Sequence, residues 1–211
     1  RSAMLTGMYQ TSIGAHHHRS HFIEGLDADF TLPSGVRPFT QLLREAGYYC
    51  ANIRTMAGRA VGTGKTDFNF KLIGDPMTAE TSGKGRSAEK NKRNNANFAR
   101  AFAGDEWTEL PKHRPFYAQV NLPTVERTIK GWTGSASNPW NGQTHPAITD
   151  PSAITVPPYY PDHEITRQDW AGYLDAVSGM DDRAGEILRR LEADGLADDT
   201  IVIFFADNGR L

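Results

Sequence analysis

Asp207 and Asn208 stand at the end of the apolar run Ile201-Val-Ile-Phe-Phe205, and Gly209 follows them. A carboxylate and an amide carbonyl side by side are the kind of oxygen ligands that suit a hard cation, Ca²⁺ or Mg²⁺. The same three residue types also make an ordinary polar turn, because Asp, Asn and Gly tolerate turn dihedrals. Gly64-Lys65-Thr66 offers a second chemistry. A nucleotide P-loop needs a glycine five positions before Gly64, where Arg59 stands, and it must open a helix. Asp67-Phe68-Asn69-Phe70 follows instead and carries no helical stripe. Lys65 on a glycine-rich loop can still act as a point charge for an anionic group. A solvated surface lysine is the plainer alternative. His16-His17-His18 and His21 form a third cluster. Histidine-rich tracts can bind metal. Three adjacent imidazoles do not face one point, however, and no Cys or carboxylate is spaced to complete a tetrahedral set. A polar loop lining a cleft is expected there.

These residues need elements to hold them. Ile201–Phe205 is β-branched and aromatic without interruption, which predicts a strand buried on both faces, as in the middle of a parallel sheet. Open α/β sheets place their sites at the carboxyl ends of such strands, and Gly209 frees the backbone to turn there. Thr166–Asp194 predicts a long helix: Trp170, Tyr173, Leu174, Val177, Met180, Ala184, Ile187, Leu188 and Leu191 share one stripe. Thr166 with Asp169 resembles a capping box, and Gly195 closes the helix. A helix feeding a buried strand through Leu196–Thr200 is half of a βαβ unit. Upstream, Arg1–Met8 reads as the first turns of a buried helix. Pro38–Ala46 reads as a helix stopped by Gly47. Tyr48–Ile53 and Phe116–Leu122 read as strands, the second ending at the polar cluster Pro123-Thr-Val-Glu-Arg127. Thr81–Asn97 is polar and basic, and a solvated loop accounts for it better than a glycan-binding patch. Gly131–Asp162 lacks periodicity over a length unusual for a loop. The whole is an α/β layer structure.

Composition narrows the function. The chain has 211 residues and a formal net charge of −2. It is long enough for one sizeable core, and no bulk basic field calls for nucleic acid. No run approaches the about 20 apolar residues of a membrane helix. The one cysteine, Cys50, lies in an apolar stretch and reads as a small core residue. Both ends fall inside patterned sequence, so a piece of a longer protein is expected.

In order along the chain, these pieces resemble one family. Arg1-Ser-Ala-Met-Leu-Thr-Gly7 resembles the tail of the sulfatase signature C-x-P-S-R-x-x-x-L-T-G, with Arg1 as its arginine. Gly64-Lys65 resembles the family's G-K-x-H loop, and Ala206-Asp207-Asn208-Gly209 its second metal-binding strand end. Val156-Pro-Pro-Tyr-Tyr-Pro-Asp-His163, with Thr166-Arg-Gln-Asp-Trp170 and a long helix, is similar to bacterial sulfatases near the heparan N-sulfatase branch.

The resemblance implies an alkaline-phosphatase-like α/β fold with a mainly parallel central sheet flanked by helices, incomplete at both ends. Residues 1–211 would be a partial catalytic domain lacking the strand with the nucleophile and a C-terminal subdomain. It implies a formylglycine made from the Cys or Ser that opens the signature, and Ca²⁺, with Mg²⁺ as the other hard cation. Asp207 and Asn208 would be two metal ligands, Arg1 would hold the formylglycine through a charge-assisted hydrogen bond, and Lys65 would contact the sulfate and the leaving oxygen. Asp67 replaces the family's histidine after the loop lysine, and Val125 or Glu126 its histidine after the middle strand. Asp67 and Glu126 are therefore expected against the substrate, either protonated or on sugar hydroxyls, because a carboxylate repels a sulfate. His113, His145 or one of His16–His18 could supply an imidazole instead. The expected partner is a sulfated carbohydrate or another sulfate ester, and the expected location is the periplasm or the cell exterior. Two other functions remain open: a phosphomonoesterase or phosphodiesterase of the alkaline phosphatase superfamily, and a non-catalytic relative that binds sulfated glycan.

Overall fold

The computed structural model describes residues 1–13, 32–64, 100–135, 138 and 145–206. Lys65, Asp67, Asp207 and Asn208, and also His16–His18 and His21, lie outside the described residues. The chain divides into two compact units, Arg1–Asn121 with Ile203–Leu211, and Leu122–Val202.

The first unit is built on β1 (Tyr49–Met56). Cys50, Ala51, Asn52 and Ile53 are all buried, so both faces of the strand are covered, as in the interior of an α/β sheet. β1 turns back into β2 (Arg59–Ala60) through Ala57 and Gly58, at φ +51° and +78°. Positive φ at both loop residues is what a two-residue hairpin of matching twist requires. β3 (Gly104–Glu106) and β4 (Phe116–Val120) both run parallel to β1, β4 in continuous register from Tyr49 opposite Phe116 to Ile53 opposite Val120. Glu106 fastens the β1–β2 hairpin, accepting from the Thr55 hydroxyl, from Ala57 N–H at 2.9 Å and from Thr108 N–H at 3.3 Å. Helices α1 (Ser2–Thr6) and α2 (Phe39–Glu45) belong to the same unit. Ile13, Leu32, Cys50, Ala101 and Phe102 form the core, with Met8, Val36, Leu43 and Tyr117 against it. Cys50 is a core residue as its apolar setting predicts: burial pushes its thiol up to about 12, which leaves it protonated at neutral pH.

The second unit pairs a hairpin, β5 (Arg127–Thr128) with β6 (Gly131–Trp132), and the long helix α3 (Glu164–Ala193). Asp175, 4% exposed, accepts from Thr149 N–H and hydroxyl at 3.1 and 2.6 Å and from Ile148 N–H at 3.4 Å. Those bonds pin residues 148–149 to the middle of the helix and satisfy a carboxylate that would be costly to bury bare.

An α/β arrangement is present, and the central pairings are parallel, with β2 as an antiparallel addition. Three expectations need correction. First, Ile201–Phe205 is not in a strand, and its residues are 55–91% exposed. An apolar run states what a strand must bury but not which neighbour supplies the ladder, and none of the described strands pairs with it. Second, α3 begins two residues before Thr166. His163 is its N-cap, accepting from Ile165 N–H at 3.2 Å, and Asp169 serves the β5–β6 hairpin instead of a capping box. Third, the buried positions of α3 are Ala171, Asp175, Ala176 and Leu191, while Leu174 and Leu188 of the expected stripe are exposed. Small residues line the contact because they let the hairpin and the 148–149 segment approach closely.

Candidate active-site scaffold

In an open α/β sheet the carboxyl ends of the parallel strands are where chemistry is placed. Here that end, in the first unit, is polar. Asn52 of β1 lies opposite Gln119 of β4, and paired residues point to the same face. Asn121 is two residues past Gln119, so it shares that face as well. Gln119 Nε2 and Asn121 Nδ2 both donate to Asn52 Oδ1, at 3.1 and 3.0 Å. Asn52 Nδ2 donates to the Gly64 carbonyl at 2.9 Å. Tyr117 donates its hydroxyl to Gln119 Oε1 at 3.1 Å, and burial pushes that phenol up to about 12.

The chain from Val61 to Gly64 is lashed to the same edge. Val61 N–H donates to the Arg54 carbonyl at 2.9 Å, and Thr63 N–H to the Asn121 carbonyl at 3.0 Å. At Gly62 a Cβ would come within 2.4 Å of the Ile53 carbonyl oxygen, so only glycine fits so close an approach. Gly64 sits at φ +64°, in the left-handed region that favours glycine. These glycines thus serve a loop bound tightly to the sheet, and the next residue in the chain is Lys65.

Arg1 is the N-cap residue of α1; its carbonyl accepts from Leu5 N–H at 2.9 Å, and Gly7 closes the helix at φ +67°. Arg1 belongs to the first unit and Glu126 to the second. Glu126 is exposed, and its carbonyl accepts from Thr133 N–H at 2.8 Å and from the Thr133 hydroxyl at 3.1 Å. Val125 before it is at φ +75°, an uncommon state for a β-branched residue, held by its N–H to the Thr133 carbonyl at 2.9 Å. The hairpin beyond Glu126 is latched to α3: Trp132 Nε1 and Arg127 Nε both donate to Asp169 Oδ1, at 3.2 and 3.1 Å.

The remaining candidates, Lys65, Asp67, Asp207 and Asn208, lie outside the described residues, and so does any pocket they form. Among the described residues no group of three or more His, Cys, Asp or Glu could hold a metal ion. The three histidines within reach of description have local tasks. His113 stacks on Tyr49 at 4.2 Å, at the amino end of β1, about 10 Å down the strand from Asn52 at about 3.3 Å per residue. His145 accepts or donates through Nδ1 with Asp182 Oδ2 at 3.1 Å, within the second unit. His163 is the cap of α3. A groove of about 560 Å³ at the start of α3 is lined by Asp150, Ser152, Asp162, His163, Glu164 and Arg167. Arg167 is engaged there by both oxygens of Asp162, at 2.6 and 2.8 Å, and by the Ile154 carbonyl at 2.7 Å.

Sequence reasoning took Tyr48–Ile53 and Phe116–Leu122 as strands but did not single out Asn52, Gln119 and Asn121. The signal was there: an amide inside an apolar strand is the informative exception to burial by hydrophobicity.

A sulfatase family model matches residues 1–211. The chain is 29% identical to an ulvan-active sulfatase of Formosa agariphila over 221 aligned residues, covering 99% of this chain and 35% of that protein. It is 33% identical to the human N-sulphoglucosamine sulphohydrolase over 99 residues, covering 46% of this chain and 19% of that protein. The chain therefore spans about a third or less of the length of these relatives. No solved structure matches it.

Proposed function

The chain belongs to the sulfatase family, and we propose that the intact protein hydrolyses a sulfate ester or sulfamate of a carbohydrate, on an alkaline-phosphatase-like sheet. The observation that carries this reading is the family match over residues 1–211, which takes in Arg1, Lys65, Glu126, Asp207 and Asn208. A sulfate ester is anionic, and its transfer moves charge onto the bridging and leaving oxygens. Fixed positive charge aimed there is the largest catalytic contribution available. Lys65 provides such a charge against the sulfate and the leaving oxygen. Arg1 holds the nucleophile's side chain by a charge-assisted hydrogen bond. Asp207 and Asn208, a carboxylate and an amide oxygen, have the donor chemistry of a hard-cation site. Asp207 and Asn208 would hold a Ca²⁺, which would offset the charge of the sulfate, and the formylglycine expected before Arg1 would supply the attacking oxygen. Asp67 and Glu126 accept from sugar hydroxyls and set which sugar is taken. The protein works in the periplasm or outside the cell, where polymeric substrates are met.

The test uses the protein carrying this chain together with the segment before Arg1. Inorganic sulfate release is measured on a panel that includes ulvan and N-sulfated glucosamine, the compounds in the relatives' names. Release that is abolished by a chelator, restored by Ca²⁺ and lost in Asp207→Ala and Asn208→Ala supports the reading. Phosphate release from a phosphomonoester with no sulfate release refutes it in favour of a phosphatase. Binding of sulfated glycan without turnover refutes it in favour of a non-catalytic relative.

A further inference from the structure

We propose that Asn52 is a positioning residue for the sulfate-binding lysine, and that Gln119 and Asn121 act through it. The proposal rests on the reading above, in which Lys65 contacts the sulfate. Asn52 is 0% exposed inside β1, where an apolar side chain would pack without any polar cost. It uses the whole bonding capacity of its amide oxygen: Oδ1 accepts from both Gln119 and Asn121. Its Nδ2 donates to the Gly64 carbonyl. A buried group left unmatched costs about 1–3 kcal/mol, so the amide has one orientation and the three partners are locked together.

No other residue type meets these demands. Aspartate keeps the acceptor and loses the donor, so a carboxylate oxygen would face the Gly64 carbonyl. Leucine has the volume and none of the bonds. Glutamine has the groups but carries them one methylene too far. The neighbouring Thr63 N–H is held by the Asn121 carbonyl at 3.0 Å, and Gly62 rides on the Ile53 carbonyl. Three successive residues of the loop are therefore tied to the two parallel strands, and the last tie is made by a side chain rather than by the backbone. That tie fixes the point from which the chain continues into Lys65. Holding a charge within a fraction of an ångström of its working place matters, since a misplacement of about 1 Å can cost roughly 10²-fold in rate.

A purely structural role for Asn52 would lower stability without passing through Lys65, and a double-mutant cycle in the intact enzyme separates the two. Asn52→Ala, Lys65→Ala and the double variant are compared by kcat/KM and by the inhibition constant of inorganic sulfate, with Tm recorded for each. The expected result is that Asn52→Ala lowers kcat/KM by about 10- to 100-fold and weakens sulfate inhibition. In the Lys65→Ala background the same change should cost less than about threefold, because the group it positions is gone. Asn52→Leu keeps the volume and removes the bonds without burying a charge, and it stands in if the alanine variant does not fold. Equal factors in the two backgrounds, or wild-type sulfate inhibition with only Tm lowered, overturn the inference while leaving the sulfatase reading intact. A wild-type enzyme that releases no sulfate overturns that reading and takes the inference with it.

Discussion

The hairpin that follows Glu126 is held to α3 at one oxygen, Asp169 Oδ1, which accepts from the Trp132 indole and the Arg127 guanidinium. Two substitutions separate these contributions. In Asp169→Ala the Trp132 N–H, on a side chain only 6% exposed, loses that acceptor, at a cost of about 1–3 kcal/mol. The Arg127 pair is lost as well. Its side chains are 51% and 29% exposed, and a pair so solvated is worth only about 0–1 kcal/mol. Together they come to about 1–4 kcal/mol. Asp169→Asn keeps an acceptor for the indole and removes only the charge, so it should cost less than about 1 kcal/mol. The expected gap between the variants is the indole bond itself, about 1–3 kcal/mol, read from urea unfolding at fixed protein concentration with matched m-values. Raising the salt should narrow the asparagine effect and leave the alanine effect in place, because screening acts on the exposed pair. The reasoning fails if the two variants are equally destabilised, since charge and not the indole bond would then be holding the hairpin.

Two further predictions concern local strain and acid stability. Val125→Gly relieves a β-branched residue at φ +75° and should raise stability by about 1 kcal/mol, measured by the same unfolding assay; a loss of stability would mean that the valine side chain packs more than its backbone strains. For Glu106, burial opposes the charge, but the bonds from Thr55, Ala57, Thr108 and Gly58 outweigh it and hold the carboxyl below its ordinary value of 4.5. A depressed carboxylate contributes stability that is complete above the unfolded value and is lost as pH falls through the folded one. Stability should therefore fall from about pH 4.5 downward, with a shallower fall in Glu106→Gln. Parallel acid limbs in the two proteins would place the titration elsewhere.

Much of the first unit was legible because its signals are local. Phe39, Leu42 and Leu43 at helical spacing before Gly47 gave α2 to within a residue at each end. The β1 and β4 strands followed from short apolar runs bounded by glycine and proline. The extension of β1 to Met56 and its hairpin were not legible, because Ala57 at positive φ is not a usual loop residue and Gly58 alone reads as punctuation. The fate of Ile201–Phe205 depends on a ladder partner, which composition does not name. Leu174 and Leu188 look like core positions in any helical wheel. The helix instead turns its small residues and Asp175 inward, because Asp175 answers three donors on residues 148–149. For the candidate site, residue chemistry alone pointed to Asp207 and Asn208 as oxygen ligands and to Lys65 as a point charge, and the family resemblance added Arg1, Asp67 and Glu126 and a role for each. The amide cluster around Asn52 came only from the pairing of β1 with β4, which sets Asn52 beside Gln119.

The groove at the start of α3 and the carboxyl end of β1 and β4 make opposite demands on a ligand, and charge decides between them. The groove is concave, but Asp150, Asp162 and Glu164 line it, and its guanidinium, Arg167, is forked onto Asp162 and donates to backbone carbonyls. An anion entering there would have to displace a carboxylate that already holds the guanidinium through both oxygens, and it would meet the exposed carboxylates of Asp150 and Glu164 across solvent. The sheet end presents neutral amides instead. They hold the loop ahead of Lys65 through bonds that neither titrate nor repel. A neutral frame of that kind fixes the geometry of the loop without adding a charge that would compete with an anionic ligand.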